Sequence, residues 1–369
     1  MSILTTMKPR LLKMLVCLFI TITCFRAAVY SQVKSDSAKH YVEKEIVSWD
    51  YHSNIIGEDY TIYVHFPPGY DTSKVKYPVL YMTDGDWNMT VAMNCFNMLR
   101  QDYSISIEPL IVGIGYGNRP NKRSRDLDPG NGGPKFADMI EKEVMPFIAD
   151  KYRVSDNKAL YGYSYGGMFT TYVLFEHPGV YNAIFIGAPG NAGRNLIPEA
   201  EKYFANHTDL NAKVFLGVGS YEPLTAQNIE LFKQYMLDKK CKSLDIATAI
   251  TPNAGHGAAL AQVMQNAMAF AYCKKHRPIS VSASELNQYI GDYTVQSDAK
   301  SKVKFYVSNG KLYFKENDGL PMEIVPYTKN GFFMYENERA DISFHHTEGK
   351  TYVLFSFPNE TPTRLDKIN

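Results

Sequence analysis

Short runs of apolar residues recur through the middle of the chain, separated by stretches with helical periodicity. Runs that are apolar almost throughout are typical of strands buried on both faces. They occupy residues 79–82, 110–114, 160–162, 183–186, 214–218 and 246–250. Helical stretches such as 136–152 and 229–239 lie between them. This alternation predicts an α/β fold, a mostly parallel sheet covered by helices on both faces, with ligands bound at the carboxyl ends of the strands.

The pattern differs on either side of this region. Residues 45–53 and 59–66 alternate apolar and polar side chains, as antiparallel strands with one exposed face do. We expect an α/β domain over residues 32–278 and a small C-terminal antiparallel β domain, a sheet or partial barrel, over residues 279–369. A short helix near 283–289 would lead into it. Its expected strands, separated by Asn-Gly, Asp-Gly and Glu-Gly turns, are 303–307, 311–314, 331–335, 342–345 and 352–357.

The N-terminal residues have the composition of an export signal. Lys8, Arg10 and Lys13 precede the apolar run 14–25, which is too short to span a bilayer comfortably. Cleavage before Gln32 would remove residues 1–31 and leave a periplasmic or extracellular protein without stable membrane insertion. Lipid anchoring at Cys24 is the less favoured alternative, because the residue before the cysteine, Thr23, is larger than a lipoprotein signal prefers.

Composition and charge exclude several classes of function. The 369 residues carry a formal net charge of +1, which leaves no basic field for nucleic acid. The short basic cluster at 122–125 is solvated or faces a substrate. No phosphate-binding loop or dinucleotide fingerprint occurs, and His345 and His346, adjacent on a predicted strand, point to opposite faces and cannot easily share a metal. We therefore expect no metal and no cofactor.

Residues 162–166 spell GxSxG between a short apolar strand and an amphipathic helix. A strand that turns sharply into a helix needs small residues on both sides of the apex, and this turn carries the nucleophile in such folds. Ser164 is therefore the candidate nucleophile. The helix that follows begins with backbone N–H groups and positive potential, which can stabilise an oxyanion.

Histidine and acid partners should follow the serine in the order acid, then histidine. His256 lies between two glycines after the apolar run 246–250, where a flexible loop can reach the serine. The alternative is a turn histidine at the start of a helix. His207 is expected in a surface loop, His276 at a solvated helix end, and His177 in a structural turn.

The candidate acid is Glu222, in the loop that leaves the strand 214–218. A carboxylate there can accept the Nδ1 proton of the histidine and stabilise the imidazolium formed during catalysis. The alternative is that Glu222 only favours the N-terminus of the next helix. Asp245 lies at the wrong end of its strand and Asp238 on a charged helix face, so both are weaker candidates.

Residues from about 61 to 277 resemble the putative esterases of the α/β-hydrolase superfamily, which include esterase D, siderophore esterases, feruloyl esterases and mycolyltransferases. The resemblance lies in residues 77–85, 111–116, 125–133, the GxSxG and 255–257. It implies that the backbone N–H groups of Asp86 and Tyr165 form the oxyanion hole. Many relatives have a neutral residue at this position, and an anionic side chain beside a developing oxyanion is unfavourable unless it points elsewhere.

These observations predict an exported serine esterase that cleaves carboxylic esters through an acyl-serine intermediate, without a cofactor. The alternatives are acyl transfer to a sugar or lipid hydroxyl, and a non-catalytic binding protein on a hydrolase fold. Trp87, Tyr163 and Tyr221 are candidate substrate contacts or only walls of the pocket. The partner would be a small-molecule or oligosaccharide ester, such as a feruloyl or acetyl polysaccharide ester or a siderophore ester.

Overall fold

The structure of the protein is a computed structural model. It describes residues 46–102, 105, 107–190, 194–274, 276–296, 298–334, 337–347, 349–357 and 361–368. The expected export signal over residues 1–31 and the possible lipid anchor at Cys24 lie outside these ranges. In the part of the chain that is described, no helix is long and apolar enough to cross a membrane.

The α/β part contains a mostly parallel sheet in the strand order β1-β2-β4-β3-β5-β6-β7-β8. Its strands are β1 (Ile46–Ser53), β2 (Glu58–His65), β3 (Tyr77–Met82), β4 (Leu110–Gly115), β5 (Val154–Tyr163), β6 (Ala183–Gly187), β7 (Ala212–Gly219) and β8 (Leu244–Thr251). The strands from β3 to β8 pair in parallel, whereas β1 and β2 form an antiparallel edge beside β4. This confirms the predicted fold class, including the alternating strands at the edge.

Helices connect these strands and cover the sheet on both faces. They are α1 (Gly85–Asp102), α2 (Arg123–Asp126), α3 (Gly133–Met139), α4 (Met145–Lys151), α5 (Tyr165–Glu176), α6 (Ile197–Phe204), α7 (Pro223–Asp238) and α8 (His256–Tyr272). Helices α1 and α8 pack on each other, and α6 packs on both α5 and α7. The apolar parts of strands β3 to β7 are buried between the two groups, which explains their near-continuous hydrophobic composition, whereas β8 at the edge of the sheet is only half-buried.

Two elements differ from the sequence-based expectation. The helix expected over 136–152 is interrupted by a π-helical segment, Ile140–Val144, because Pro146 has no N–H to donate to the preceding turn. Glu143 in this segment accepts hydrogen bonds from the backbone N–H groups of Asn54 and Ile55, at 2.9 and 3.1 Å. The helix expected from residue 229 begins earlier, at Pro223, whose fixed φ suits a first helical position.

The C-terminal part is a closed eight-stranded antiparallel barrel. Its strands are β9 (Gly291–Val295), β10 (Asp298–Ser308), β11 (Lys311–Glu316), β12 (Met322–Pro326), β13 (Gly331–Met334), β14 (Asn337–Thr347), β15 (Lys350–Ser356) and β16 (Thr363–Lys367). Helix α9 (Ala283–Leu286) precedes it, with a capping box formed by Ser282 and Glu285. The barrel closes where β16 pairs with β9, a pairing between distant segments that the local pattern did not predict.

Aromatic side chains fill the interior of the barrel. Tyr293, Phe305, Phe332 and Phe344 are buried and meet mostly edge to face, with ring centroids 4.9 to 6.3 Å apart. These rings form a separate hydrophobic core from that of the α/β sheet. A barrel of this size has room for such side chains and little else, so its interior is a packed core.

A histidine marks the passage from the α/β sheet to the barrel. The ring of His276 lies 4.2 Å from the ring of Tyr327 and 5.0 Å from that of Phe333, centroid to centroid. Desolvation lowers the pKa of His276. The expectation of a solvated helix end at His276 is therefore wrong, because barrel side chains pack over this ring.

Candidate active site

Ser164 lies at the apex of the turn between β5 and α5. Its φ of +61° is in the left-handed region that non-glycine residues rarely adopt. A Cβ added to Gly162 would lie 2.1 Å from the carbonyl oxygen of Gly166, and one added to Gly166 would lie 2.4 Å from Oγ1 of Thr83. Both glycines are therefore sterically required, as the GxSxG pattern predicted.

Backbone hydrogen bonds hold this strained turn in place. The Ser164 N–H donates to the carbonyl of Gly187, at the end of β6, over 2.9 Å. The Ser164 carbonyl accepts from the N–H groups of Met168 and Gly190, at 3.1 and 3.2 Å. The main chain of Ser164 is thus fixed to the neighbouring strand, which leaves its hydroxyl on a rigid support.

Glu222 and His256 meet at the carboxyl ends of β7 and β8. The distance between Nδ1 of His256 and Oε1 of Glu222 is 2.8 Å. The other carboxylate oxygen of Glu222 is buried and has no hydrogen-bond partner among the residues described. With Nδ1 donating to the carboxylate, a neutral imidazole carries its free lone pair on Nε2, where a general base needs it.

The loops that carry these two residues are packed tightly together. The N–H of Tyr221 donates to the carbonyl of Ala254 over 3.0 Å, and that of Ser220 donates to the carbonyl of Thr251 over 2.9 Å. A Cβ on Gly219 would lie 2.3 Å from the Ala254 carbonyl oxygen. This close approach of two backbones brings the acid loop against the histidine loop.

The two interpretations of Glu222 can now be compared. Glu222 does occupy the N-cap position of α7, but its side chain makes no capping hydrogen bond. The carboxylate is directed to His256 instead. His256 itself is the first residue of α8, with Gly255 at the N-cap position. The geometry favours an acid–histidine pair over two separate helix-end residues.

Tyr163 connects the serine turn to the histidine loop. Its hydroxyl donates to the carbonyl of His256 over 2.5 Å, and the two rings lie 5.2 Å apart. Burial, followed by the nearby carboxylate of Glu222, raises the pKa of Tyr163. Only 4% of Tyr163 is exposed, so the structure favours a wall of the site over a substrate contact at this position.

The other aromatic candidates remain accessible. Trp87 is 43% exposed, Tyr165 38% and Tyr221 68%. Each directly follows or precedes a predicted site residue: Trp87 follows Asp86, Tyr165 follows Ser164 and Tyr221 precedes Glu222. These three rings, which we call the aromatic rim, are available to a substrate.

The Asp86 carboxylate points away from the predicted oxyanion position and into the turn after β4. It accepts hydrogen bonds from the N–H groups of Tyr116 and Gly117 and from the hydroxyl of Tyr63, each at 2.8 Å. Burial, followed by the hydrogen bond to Asp86, raises the pKa of Tyr63 to about 12. Three donors therefore satisfy the negative charge of the Asp86 carboxylate.

The backbone N–H groups of Asp86 and Tyr165 lie at the starts of two helices. Asp86 lies in the first turn of α1 and Tyr165 in the first turn of α5. Since the first N–H groups of a helix have no intrahelical acceptor, both residues can present an N–H group to a developing oxyanion. Both remain candidates for the oxyanion hole.

An ion pair beside these two turns was not predicted. Arg123 donates from Nε and Nη2 to the two carboxylate oxygens of Asp84, at 2.7 and 3.0 Å. Its guanidinium carbon also lies 5.7 Å from the ring centroid of Trp87 and 5.3 Å from that of Tyr165. An aspartate predicted at the end of a buried strand needs a cationic partner, but the local sequence does not indicate which cation that is.

The remaining histidines have structural partners. His177 pairs with Glu141 at 3.0 Å, which raises the pKa of His177. His207 stacks on Tyr203 with ring centroids 4.1 Å apart. In the barrel the adjacent pair separates, since His345 contacts Ser343 and His346 contacts Thr351. No group of three potential metal ligands occurs within the described residues.

Comparison with known proteins finds similarity to esterases in the α/β part. Residues 53–228 match the family described as putative esterase. The siderophore triacetylfusarinine C esterase of Aspergillus fumigatus is 30% identical over 157 residues, which are 38% of this chain and 54% of that protein. The chain thus spans about half the length of this curated relative.

Solved structures share the fold. The BES protein from Bacillus cereus has a TM-score of 0.54 and 20% identity, with 63% of this chain and 98% of that chain covered. Siderophore hydrolase EstB from Aspergillus nidulans has a TM-score of 0.53 and 20% identity, with 63% and 96% covered. Residues 53–228 therefore match the family described as putative esterase, within a domain that shares its fold with these solved structures.

Proposed function

We propose that this protein is a serine esterase in which Ser164 is the nucleophile, His256 the general base and Glu222 the acid that orients the histidine. The observation that carries the proposal is the 2.8 Å contact between His256 and Glu222, on loops packed beside the strained serine turn. Tyr163 supports it, because this residue next to Ser164 donates to the backbone of His256.

The reaction proceeds in two half-reactions. Nε2 of His256 accepts the hydroxyl proton as Oγ of Ser164 attacks the ester carbonyl, and the resulting imidazolium is stabilised by Glu222. Collapse of the tetrahedral intermediate breaks the ester bond, and the proton passes from His256 to the leaving alcohol. Water then attacks the acyl-serine with the same histidine as base, which releases the acid and restores Ser164.

The oxyanion of both tetrahedral intermediates would lie between two helix N-termini. The N–H groups of Tyr165 and Asp86 are the proposed donors, at the starts of α5 and α1. Donors held by helices need little rearrangement as charge develops, which makes this type of stabilisation a large part of catalysis. The three hydrogen bonds to the Asp86 carboxylate keep its charge directed away from the hole.

We propose esters of siderophore type as the substrate class. Two similar proteins are named a siderophore esterase and a siderophore hydrolase. The aromatic rim of Trp87, Tyr165 and Tyr221 offers exposed faces on which a planar acyl or alcohol group can stack. Feruloyl and acetyl esters of polysaccharides are the competing substrates that the same rim can accept.

Replacing the nucleophile tests the mechanism. Ser164→Ala should abolish turnover of p-nitrophenyl acetate and labelling by a fluorophosphonate probe, while the circular dichroism spectrum stays unchanged. Full residual activity in this variant would overturn the assignment. Failure of the wild-type protein to react with the probe would instead support a non-catalytic binding protein.

A substrate panel tests the class. A trilactone siderophore, methyl ferulate and acetylated sugars would be compared by kcat/KM, and the siderophore should give the highest value. Cleavage of methyl ferulate alone would reassign the enzyme to feruloyl esters. Formation of a new ester when a sugar or lipid alcohol is added, at the expense of free acid, would identify an acyltransferase.

We also propose that the protein is exported and that residues 1–31 are removed. The basic residues before a short apolar run support this, because export signals have that arrangement. Mass spectrometry of the protein recovered from its native compartment should find an N-terminus at Gln32. A retained N-terminus in the cytoplasm would contradict export.

A further inference from the structure

Arg123 contacts both turns that supply the proposed oxyanion donors. On one side its guanidinium holds the two carboxylate oxygens of Asp84, two residues before Asp86. On the other side it lies 5.3 Å from the ring centroid of Tyr165, the residue after the nucleophile. One side chain therefore joins the turn after β3 to the turn after β5.

The Asp84 turn has a conformation that needs support. Asp84 adopts a φ of +57°, and its side chain is only 2% exposed. Its carbonyl accepts the N–H groups of Trp87 and Asn88, at 3.2 and 3.0 Å, so Asp84 also begins helix α1. A strained residue with a buried carboxylate persists only when its surroundings over-determine it, and Arg123 provides the charged partner.

The ion pair leaves little net charge for a substrate. Desolvation opposes the charged form of Arg123, but the hydrogen bonds to Asp84 outweigh it and raise the pKa of Arg123. Two of its guanidinium nitrogens already point at the Asp84 carboxylate. The geometry therefore suits a structural clamp better than a site for a substrate anion.

The segment that carries Arg123 is itself anchored. Three residues after Arg123, the buried carboxylate of Asp126 accepts the hydroxyl of Tyr60 at 2.9 Å, the hydroxyl of Tyr116 at 3.0 Å and Nε of Arg125 at 2.7 Å. This network ties helix α2 to strand β2 and to the end of β4. Because the backbone of α2 is fixed, the Arg123 guanidinium is held in one position and restrains the Asp84 turn through the ion pair.

We propose that Arg123 is a positioning residue that aligns the two N–H groups of the oxyanion hole by clamping the Asp84 turn and packing on Tyr165. The inference rests on the proposed serine esterase function and concerns the same site. Because the oxyanion hole acts on the transition state, loss of the clamp should lower kcat and leave KM nearly unchanged. Removal of a whole oxyanion donor lowers kcat by about 10²–10³, so misalignment should cost roughly 10- to 100-fold.

The experiment measures kcat and KM of Arg123→Met, Asp84→Asn and the double variant with p-nitrophenyl acetate, an uncharged substrate. If the pair acts as one clamp, the double variant is no slower than the slower single variant. Lys122→Met is the matched control, because the side chain of the adjacent Lys122 pairs with Glu58. This control should retain wild-type kcat.

A transition-state analogue gives a second readout. A trifluoromethyl ketone inhibitor forms a hemiketal with the serine and places an oxyanion in the hole, so its binding should weaken by the same factor as kcat/KM. If Arg123→Met only destabilised the fold, the folded fraction of the variant would bind the inhibitor as tightly as the wild type does. Arg123→Lys keeps the positive charge but has a single donor group, so its kcat should lie between those of the wild type and Arg123→Met. This variant replaces Arg123→Met in the test if Arg123→Met does not fold.

Two outcomes would overturn the inference. One is a kcat within twofold of wild type in both Arg123→Met and Arg123→Lys. The other is a raised KM with unchanged kcat, which would make Arg123 a substrate-binding residue. In either case Ser164→Ala remains inactive if the proposed function is right, so failure of the clamp is distinguishable from failure of the esterase assignment.

Discussion

The α/β sheet and the C-terminal barrel place their polar side chains differently. In the sheet, parallel strands end on one edge, and the residues just beyond them include Ser164, Glu222 and His256. In the barrel every strand has two paired neighbours and the interior is filled with aromatic rings. An open parallel sheet therefore has an edge where loops converge, whereas this small closed barrel has a complete core and carries its polar groups outside.

The outer face of the barrel illustrates the contrast. His345 stacks on Tyr352 with ring centroids 5.0 Å apart, and the guanidinium carbon of Arg364 lies 3.9 Å from the Tyr352 centroid. These contacts join three neighbouring strands across their exposed side. Cross-strand pairs of this kind stabilise a sheet, and they differ from the acid–histidine contact at the edge of the α/β sheet, which joins two loops.

The largest expected difference concerns two histidines. His256→Ala should lower kcat/KM for p-nitrophenyl acetate by about 10⁴-fold with no change in Tm, because the proposed general base is lost. His345→Ala in the barrel is the control and should keep wild-type activity. A loss below tenfold in His256→Ala would contradict the assignment of the general base.

Two buried phenylalanines distinguish the cores. Phe305→Ala in the barrel and Phe169→Ala in α5 should each lower the free energy of unfolding by about 3–5 kcal/mol, because both rings are fully buried. Denaturant unfolding followed by fluorescence measures this loss. Phe169 lies on the helix that begins next to Ser164, so only its replacement should also reduce kcat at low temperature. Equal losses of kcat would show that the barrel supports the active site.

Neutralising the proposed acid has a smaller effect. Glu222→Gln keeps the size of the side chain but removes the charge that stabilises the imidazolium, so kcat should fall by about 10²-fold without unfolding. Glu230→Gln, on an exposed part of α7, is the matched control and should have the kcat of the wild type. Unchanged kcat in Glu222→Gln would favour the interpretation of Glu222 as a helix-end residue.

The smallest effect is the pH dependence of the barrel junction. Burial lowers the pKa of His276, with Lys274 acting in the same direction and Asp341 against it. Because the pKa of His276 is lower in the folded chain, the unfolded chain protonates this histidine at a higher pH than the folded chain does. The contribution of buried, neutral His276 to the free energy of unfolding is therefore complete above about pH 6.5 and decreases below it. The Tm of His276→Phe should therefore fall less than the Tm of the wild type when the pH is lowered from about 7.5 to about 5.

The pH dependence of the stability contributed by His177, in the α/β part, has the opposite sign. Its hydrogen bond to Glu141 raises the pKa of His177, so that contribution is complete below about pH 6.5 and is lost as the pH rises through the higher folded-state value. His177→Phe should therefore lose stability mainly at low pH. Thermal melts of His276→Phe and His177→Phe at several pH values would measure the two contributions separately. Tm values that change with pH in the same direction in both variants, relative to wild type, would contradict the predicted signs.

Much of the site was predictable because its chemistry has local signatures. The glycines around Ser164 announce a turn in which a Cβ would lie about 2 Å from backbone, and the position of His256 follows from strand and loop order. The glycines beside Ser164 and the apolar runs of the strands are recognisable in the sequence because close packing restricts which residues can occupy these positions. Glu222 was harder to assign, because an acid beside a helix start has two physical explanations that only its side-chain direction separates.

Other features gave no local signal. The closure of β9 on β16 and the side-chain direction of Asp86 each depend on a distant partner. Arg123 lay in a basic cluster that resembled a solvated loop, and its buried carboxylate partner is 39 residues away. Sequence periodicity reports burial of an element, not the identity of the side chain across from it.

By itself the sequence determined the two kinds of sheet, their order along the chain and the strained serine turn, because hydrophobic periodicity and the steric demands of glycine act between near neighbours. The tertiary structure alone decided which carboxylate meets His256, where the Asp86 charge goes and which cation holds Asp84. These are pairings of charged and polar groups that lie 30 to 39 residues apart in the chain, and their free energy depends on distance and desolvation that only the folded chain defines.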